Sequence, residues 1–353
     1  MKLQIHGDTS VPGDKSITHR ALMFAALGDG ESRLSGLLPG EDCRSTAAIL
    51  RALGCEVPEL PADGGEIRVV SRGVDSWGRP SAALDCGNSG TTARLMMGLL
   101  ASRPYTSTLT GDESLRGRPM RRVTAPLRQM GAHFLETGEA GRLPIEVTGG
   151  PLRSLDYASP TSSAQVKSAI LLAGLAGGVP VSVTEPIHSR DHTERMLAAL
   201  GVEVTTSRQE DGWLVALPAH TNPLPALELR VPGDPSSAAF LAALAMLAGE
   251  GELRIRGVCV NPTRAGFFQI AERMGAHVER VDERETGGEP VADLVVRPAE
   301  LRGVEVGEAE IPAAVDEIPI LAVLAARAAG ETRITGAGEL RVKETDRIAA
   351  IAG

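Results

Sequence analysis

Two carboxylates and several cations are the residues of this chain that could perform acid–base chemistry on an anionic substrate. Asp316 stands directly before an apolar run, and Glu344 lies in the charged segment 340–347. Both are candidates for general acid–base catalysis. If the segment is helical, Lys343 and Arg347 share one face at a spacing of four residues. A simple helix cap at Asp316 and ordinary helix-surface ion pairing are the competing interpretations.

Polar residues at the predicted start of a helix form a second kind of motif. In the segment 13–20, Lys15, Ser16 and free helix-start amides stand where an anion would bind. Arg20 lies one turn after Ser16 on the same helix face. The spacing is not that of a nucleotide-binding phosphate loop. A capped surface helix is the alternative interpretation.

A glycine-rich segment, 86–94, precedes another predicted helix. Its Gly87 and Gly90 are three residues apart, which lets backbone amides approach a ligand closely. The segment lacks the third glycine and the later acidic residue of a dinucleotide site. Arg118 follows on an irregular stretch, and the segment 162–169 is one more polar helix start.

Together these motifs indicate a site for a small polyanion. Most of them stand at equivalent helix starts of a repeating pattern, and three-fold packing could bring them to one opening. The sequence offers no metal-ligand cluster and no nucleophile paired with a base. His188 and His192 have the spacing of two metal ligands, but no third ligand is evident, so a structural role is favoured.

The composition excludes several other classes of function. The chain has 353 residues, 42% hydrophobic and 23% charged, which is typical of a globular protein. A net charge of −9 disfavours nucleic acid as a partner. The apolar runs are too short to cross a membrane, no secretion signal is evident, and four scattered cysteines suit a reducing cytoplasm. Among 36 basic residues only four are lysines, and three of these stand in the motifs.

An internal repeat organises the chain. A helix-sized stretch ends at a glycine four times, at Gly54, Gly131, Gly201 and Gly275, at intervals of 77, 70 and 74 residues. Each glycine is predicted to cap a helix and lead into a strand. The repeating unit is strand–helix–strand–helix followed by paired strands, βαβαββ. A fifth unit begins near Asp316, and the chain ends inside it.

A second repeat indicates the domain boundaries. The pattern Val-Pro-Gly-Asp-x-Ser occurs at 11–16 and again at 231–236, and both copies are predicted crossovers between domains. The prediction is an α/β protein with a three-unit domain at 13–231, which carries most of the site. Residues 1–12 plus 232–353 form a discontinuous second domain, incomplete at its C-terminal end.

The motifs themselves resemble those of one known family. Residues 12–20, 87–91, 112–120 and 341–347 closely resemble the enolpyruvylshikimate phosphate synthases, and the resemblance extends over the whole chain. It implies transfer of the carboxyvinyl group of phosphoenolpyruvate to the 5-hydroxyl of shikimate 3-phosphate, with release of phosphate, in the shikimate pathway of aromatic amino-acid biosynthesis. It implies no metal or organic cofactor. It also implies the enolpyruvyl transferase fold, two inverse α/β domains of three βαβαββ units each.

Matching positions imply a site for each substrate. For shikimate 3-phosphate they are Lys15, Ser16, Arg20, Ser163, Ala164, Gln165, Arg190, Asp316 and Lys343. For phosphoenolpyruvate they are Lys15, Asn88, Gly90, Arg94, Arg118, Gln165 and Arg347. Adding an alcohol across an enol ether requires a base for the hydroxyl proton and an acid for the methylene carbon, and elimination of phosphate reverses these roles. Asp316 is the predicted base and Glu344 the predicted acid, with Lys15 as a further catalytic residue.

The resemblance also implies differences from a complete family member. The family continues past this C-terminus and supplies another arginine and lysine to the phosphoenolpyruvate site. We therefore expect that the last one and a half units are absent and that this 353-residue form binds shikimate 3-phosphate but turns over poorly. Gly90 implies that the complete enzyme is a target of glyphosate.

Two alternatives remain open from the sequence. The related UDP-N-acetylglucosamine carboxyvinyltransferase shares the fold, but its reactive-loop cysteine and its lysine–asparagine start are not matched. A non-catalytic phosphoshikimate-binding fragment is the second alternative. The predicted state is a cytoplasmic monomer that binds small molecules and neither nucleic acid nor membrane.

Overall fold

The structure, a computed structural model, describes residues 3–342 and 345–352. Contacts divide the chain into two compact units. The first unit contains residues 1–14 and 232–353, and the second contains residues 15–231. Within the described ranges, no helix combines the length and the apolar character needed to span a bilayer.

The secondary structure alternates between helices and strands throughout the described residues. The helices are α1 (Lys15–Leu27), α2 (Glu41–Ala52), α3 (Gly90–Leu100), α4 (Glu113–Arg116), α5 (Arg121–Gln129), α6 (Ala164–Gly177), α7 (His192–Ala199), α8 (Pro235–Met246), α9 (Gly266–Arg273), α10 (Ile311–Ala314), α11 (Ile318–Arg327) and α12 (Arg347–Ala352). The strands are β1 (Gln4–Ser10), β2 (Gly28–Ser35), β3 (Ile67–Arg72), β4 (Leu84–Asp85), β5 (Thr106–Thr110), β6 (His133–Glu136), β7 (Ile145–Thr148), β8 (Leu155–Ala158), β9 (Val181–Glu185), β10 (Thr205–Gln209), β11 (Gly212–Leu217), β12 (Leu224–Pro225), β13 (Glu228–Arg230), β14 (Glu250–Cys259), β15 (His277–Thr286), β16 (Glu289–Arg297), β17 (Glu305–Val306) and β18 (Arg333–Ile334). Short 3-10 helices lie at Val74–Ser76, Glu308–Glu310 and Gly338–Val342.

The second unit contains three four-stranded sheets, two of which share one strand order. One sheet has the order β4-β5-β7-β6, and another repeats it as β8-β9-β11-β10. In both, the first two strands are parallel and the others are antiparallel. In the third sheet, β2 pairs antiparallel with β3 and parallel with β12 and β13. Strands β12 and β13, at the end of the second unit, therefore take the position of the first strand in the repeating unit that contains α1.

The first unit is built from both ends of the described chain. Strand β1 runs parallel to β14, from the pair Gln4 and Glu250 to the pair Ser10 and Arg256. Strand β16 lies antiparallel between β14 and β15, so this sheet repeats the order seen in the second unit. Strands β17 and β18 are parallel neighbours that enclose α11 in sequence, as at the start of another repeat.

The four repeated glycines are helix caps. Gly54, Gly131, Gly201 and Gly275 have φ angles of 100°, 109°, 79° and 103°, the left-handed region that disfavours other residues. After each glycine, the next backbone N–H donates to the carbonyl five residues earlier, as Cys55 N does to Leu50 O at 3.0 Å. This is the Schellman cap, and it confirms the predicted helix ends.

The first helices of the repeats form the core of the second unit. In α1, every residue from Ile17 to Leu27 is buried. Helices α3 and α6 approach so closely that a Cβ atom at Gly98 would lie 2.2 Å from the Ala169 carbonyl oxygen. A helix enclosed on all sides needs no polar face, which accounts for the uniformly apolar runs in the sequence. Their packing holds the helix starts that carry the polar motifs.

One predicted helix start is wrong. The sequence predicts a helix from Lys343 to Ala350, but α12 begins only at Arg347. Asp346 lies outside the helix, and its Oδ1 atom accepts a hydrogen bond from Ala349 N at 3.0 Å, which is the role of an N-cap. Lys343 and Glu344 lie outside the described residues, so their predicted roles stay predictions.

Candidate active site

The start of α1 carries a partly exposed cation. Lys15 is the first residue of this helix, and its Nζ atom lies 3.2 Å from Asp42 Oδ2 at the start of α2. Its side chain remains 48% exposed. Thr92 Oγ1, in the first turn of α3, donates to the Asp42 carbonyl at 3.3 Å. These contacts join three helix starts and leave the ammonium accessible to an anion.

Arg20 lies deeper and connects helices. Its Nε atom donates to Thr193 Oγ1 and its Nη2 atom to Ser168 Oγ, both at 2.7 Å. Its Nη1 atom donates to the Ser16 carbonyl at 2.9 Å, so the predicted pairing on one helix face is confirmed. The guanidinium is only 3% exposed, and these bonds place it beneath the helix starts.

Two guanidinium groups flank Gly90 at the start of α3. A Cβ atom at Gly90 would lie 2.7 Å from Arg94 Nη1 and 3.5 Å from Arg118 Nη1. Ser89 caps this helix by accepting a hydrogen bond from Thr92 N at 3.1 Å. Two cations beside the positive end of a helix dipole make a strongly anion-attracting place.

The two arginines are held by different partners. Arg94 Nη1 donates to Gln165 Oε1 at 2.7 Å, which links α3 to the start of α6. Arg118 Nη2 donates to Asn88 Oδ1 at 2.5 Å. The Asn88 amide nitrogen donates to Asp112 Oδ2 at 2.6 Å, and this bond lowers the pKa of Asp112. The ionised Asp112 thereby orients the Asn88 amide so that its oxygen faces Arg118.

The start of α6 combines a loose cap with a side-chain bridge. Ser163 caps the helix through a long hydrogen bond, 3.5 Å from its Oγ atom to Val166 N. Ala164 is the first helical residue, and Gln165 follows it. Gln165 Nε2 donates to Thr91 Oγ1 at 3.0 Å, so both ends of its amide bind residues of α3. The predicted residues of these two helix starts are therefore in direct contact.

A buried ion cluster supports the segment that carries Arg190. Lys167 Nζ lies 2.8 Å from one carboxylate oxygen each of Glu185 and Glu194, and it donates to the Ser189 carbonyl at 3.2 Å. The Lys167 side chain is 1% exposed. Although burial alone would lower the pKa of Lys167, the two carboxylates raise it above its ordinary value. Neither glutamate was predicted from the sequence, in which the lysine retained in an arginine-rich chain was the signal for the cluster.

His188 is not arranged as a metal ligand. Its ring stacks on Trp213 with the ring centroids 4.4 Å apart and the planes 14° from parallel. Burial and the nearby Lys167 ammonium lower the pKa of His188, which favours the neutral ring at pH 7. The structure thus gives this histidine a packing role.

Within the first unit, a predicted carboxylate and a predicted cation are in direct contact. Asp316 lies in the turn before α11, and its Oδ1 atom accepts a hydrogen bond from Arg347 Nη1 at 3.1 Å. Both side chains are partly exposed, at 30% and 24%. The predicted base therefore stands beside one of the cations predicted to hold phosphoenolpyruvate.

Comparison with known proteins identifies a family match over nearly the whole chain. The family model "EPSP synthase (3-phosphoshikimate 1-carboxyvinyltransferase)" matches residues 2–353. A relative from Gloeobacter violaceus named 3-phosphoshikimate 1-carboxyvinyltransferase is 53% identical over 350 residues, which cover 99% of this chain and 79% of the relative. A relative of the same name from Desulforudis audaxviator is 51% identical over 349 residues, covering 98% and 79%.

Solved structures show the same fold. An EPSP synthase from Acinetobacter baumannii has a TM-score of 0.86 and 42% identity, covering 99% of this chain and 79% of that one. The enolpyruvyl transferase NikO from Streptomyces tendae has a TM-score of 0.70 at 19% identity, covering 94% and 75%, which is a likeness of fold alone. The predicted enolpyruvyl transferase fold is confirmed, and the UDP-N-acetylglucosamine alternative is not favoured. This chain belongs to the EPSP synthase family, the 3-phosphoshikimate 1-carboxyvinyltransferases.

Proposed function

We propose that this chain transfers the carboxyvinyl group of phosphoenolpyruvate to the 5-hydroxyl of shikimate 3-phosphate and releases phosphate. The observation that carries the proposal is the pair of guanidinium groups beside Gly90, linked through Arg94 to Gln165 at the next helix start. Both substrates are polyanions, so cations must offset their repulsion and position the reacting atoms.

Phosphoenolpyruvate is assigned to the start of α3. Arg94, Arg118 and the α3 amides would hold its acidic groups, and Asn88 fixes the direction of Arg118. Gly90 leaves room for the Arg94 guanidinium, since a Cβ atom there would lie 2.7 Å from Arg94 Nη1. Lys15, Gln165 and Arg347 complete this assignment.

Shikimate 3-phosphate is assigned to the starts of α1 and α6. The Ser163 hydroxyl oxygen accepts the cap bond from Val166 N, so its O–H can still donate to a phosphate oxygen. Arg190 supplies a cation for the same phosphate. The remaining residues of this assignment are Lys15, Ser16, Arg20, Ala164, Gln165, Asp316 and Lys343.

Asp316 and Glu344 are assigned the proton transfers. Asp316 accepts the proton of the 5-hydroxyl as its oxygen attacks C2 of phosphoenolpyruvate, and Glu344 delivers a proton to the methylene carbon. The roles then reverse as the C–O bond to phosphate breaks and the double bond forms again. Asp316 also pairs with Arg347, one of the cations assigned to phosphoenolpyruvate. Lys15 would stabilise negative charge on the phosphate that leaves.

The proposed setting follows from the composition. We infer a cytoplasmic monomer that binds small molecules and neither nucleic acid nor membrane. Cys43, Cys55, Cys86 and Cys259 are buried and form no disulfide with one another, which suits a reducing compartment. The net charge of −9 is unfavourable for contact with nucleic acid or an anionic membrane.

The test is phosphate release by the purified chain with phosphoenolpyruvate, with and without shikimate 3-phosphate. We expect release that depends on shikimate 3-phosphate, and a loss of roughly 100-fold or more in Asp316→Asn, the usual range for removing a general base. Arg254→Lys is a control, because Arg254 pairs with Asp282 and Asp293 at a sheet surface and has no assigned role. Release without shikimate 3-phosphate, or no release at all, contradicts the proposal. Binding of shikimate 3-phosphate in calorimetry without release would instead support the non-catalytic binding fragment.

A further inference from the structure

Arg264 is a buried cation shared by three carboxylates in the first unit. It follows β14 in a tight turn in which Arg264 N donates to the Asn261 carbonyl at 2.8 Å. The Asn261 side chain accepts a hydrogen bond from Thr263 N and donates to Glu289 Oε2, both at 2.9 Å. The guanidinium is 3% exposed. The turn therefore fixes the backbone of Arg264 independently of its side-chain contacts.

The three carboxylates come from three separate segments. Arg264 Nη1 donates to Glu317 Oε1 at 2.6 Å, and Nη2 donates to Asp234 Oδ1 at 2.9 Å. Its Nε atom lies 3.5 Å from Asp14 Oδ2. Ser236 Oγ bonds both Glu317 and the guanidinium, which closes the cluster. The planar guanidinium carries N–H groups that point rigidly toward three partners. A lysine ammonium on its flexible chain cannot hold three partners in this fixed geometry.

Two of the carboxylates belong to the repeated Val-Pro-Gly-Asp pattern. Asp14 N donates to the Pro232 carbonyl at 2.8 Å, and Asp234 N donates to the Pro12 carbonyl at 2.9 Å. Gly13 and Gly233 form an antiparallel bridge between these bonds. The two copies of the pattern therefore pair with each other, and Arg264 binds the aspartate at the end of each copy.

The cluster adjoins two residues that the proposed function uses. Asp14 is followed in the chain by Lys15, and Glu317 is preceded by Asp316. Removing a buried cation would leave carboxylates that repel each other in a place with little water to screen them. Asp14 and Glu317 would then separate, and the peptide units that carry their neighbours would shift with them.

We propose that Arg264 is a positioning residue, which fixes the backbone that carries Lys15 and Asp316 and does not touch either substrate. The inference rests on the proposed function, because it requires that these two residues act on substrate. Displacement of a reacting group by about 1 Å is enough to cost roughly 100-fold in rate. A small displacement of Lys15 or Asp316 would therefore slow the reaction even where the stability of the folded chain changes little.

The test compares Arg264→Lys with Arg103→Lys as a matched control. Arg103 is also buried, and it bonds the Val74 carbonyl at 2.8 Å, Asp75 at 2.9 Å and the Ala176 carbonyl at 3.1 Å in the second unit. None of these residues has an assigned role in the reaction. Both variants keep the positive charge and lose the planar guanidinium group. We therefore expect both to lower the unfolding temperature by similar amounts.

We expect only Arg264→Lys to lower affinity for shikimate 3-phosphate, by about tenfold in titration calorimetry, and to slow phosphate release by roughly 100-fold. Arg264→Met, which also lacks the charge, should show the larger loss if it folds. Unchanged affinity and release in folded Arg264→Lys, or equal losses in Arg103→Lys, overturns the proposal. If the parent chain does not bind shikimate 3-phosphate, the proposed function fails and this inference fails with it. If the parent chain binds without turnover, affinity alone decides.

Discussion

At the scale of single residues, the absence of a side chain at Gly90 leaves room for the Arg94 guanidinium. An alanine methyl group would lie 2.7 Å from Arg94 Nη1, so the guanidinium must move, and we expect its bond to Gln165 to weaken. We expect Gly90→Ala to raise the KM for phosphoenolpyruvate roughly tenfold, the equivalent of about 1.4 kcal/mol. The helix itself should tolerate or slightly prefer alanine. Steady-state kinetics and thermal unfolding separate the two effects.

Gly150→Ala is the matched control for that substitution. A Cβ atom at Gly150 would meet no atom within 4 Å, so the same change in chemistry carries no steric conflict. Its KM should equal that of the parent chain. An unchanged KM in Gly90→Ala would show that Arg94 moves aside without cost.

Lys167 tests how much a buried ion cluster contributes to stability. Lys167→Met leaves Glu185 and Glu194 buried without their cation, so we expect a loss of about 3–5 kcal/mol in urea unfolding. The matched surface substitution Arg254→Met should cost less than about 1 kcal/mol. Similar losses in the two variants would contradict the assigned importance of burial.

The same lysine predicts a pH dependence. Because its pKa is raised in the folded chain, the stabilisation is fully present below the ordinary value of 10.5. It is lost only as the pH rises through the higher folded value. The difference in unfolding free energy between the parent chain and Lys167→Met should therefore stay constant from pH 7 to 9. A difference that already shrinks in this interval would contradict the direction of the shift.

Residue types and spacing predicted part of the candidate site. The contact between Arg94 and Gln165 follows from two polar helix starts in equivalent positions of the repeat. Arg264 and its partner Glu317 were not predicted, because a buried ion pair depends on which distant segments meet. The two residues are 53 positions apart, so no local pattern links them. Sequence reasoning therefore located the residues near helix starts better than the residues that support them.

At the scale of the element, two serine caps are expected to differ. Ser89 accepts a hydrogen bond from Thr92 N at 3.1 Å and is fully buried, whereas the cap bond of Ser163 is 3.5 Å long. We expect Ser89→Ala to cost about 1–2 kcal/mol and Ser163→Ala about 0.5 kcal/mol or less. Affinity for shikimate 3-phosphate should fall more in Ser163→Ala, because its hydroxyl is assigned to the substrate. The reverse ranking in chemical denaturation and calorimetry would contradict both assignments.

Helices and their caps were predictable because their determinants are local. The glycine after each repeated helix fixes a left-handed residue, and the chain within five residues completes the cap. The pairing of β12 and β13 with β2 was not predicted, because about 200 residues separate the strands. The predicted start of the last helix at Lys343 failed because Asp346 caps it later.

At the scale of the whole molecule, the first unit exposes large apolar side chains. Phe240 and Leu244 on α8 are 57% and 45% exposed, and Val323 on the neighbouring α11 is 48% exposed. We expect the purified chain to bind a hydrophobic fluorescent dye, and the double variant Phe240→Gln with Leu244→Gln to bind less. Its unfolding temperature should change little, because these side chains bury little area.

Leu135→Gln is the control for this surface. Leu135 is 60% exposed but stands on β6 in the second unit, so its removal should leave dye binding nearly unchanged. Equal reductions in the two variants would mean that the dye reports scattered apolar residues.

The pairing of β1 with β14 also sets an order of events during translation. Gln4 leaves the ribosome 246 residues before Glu250, its neighbour in the sheet. At the usual speed of synthesis this interval is roughly 10 to 50 seconds. Every strand pair of the second unit can form within it, because all of that unit emerges first. The newborn chain therefore folds its middle before its ends, and β1 waits as an unpaired edge that a chaperone could protect.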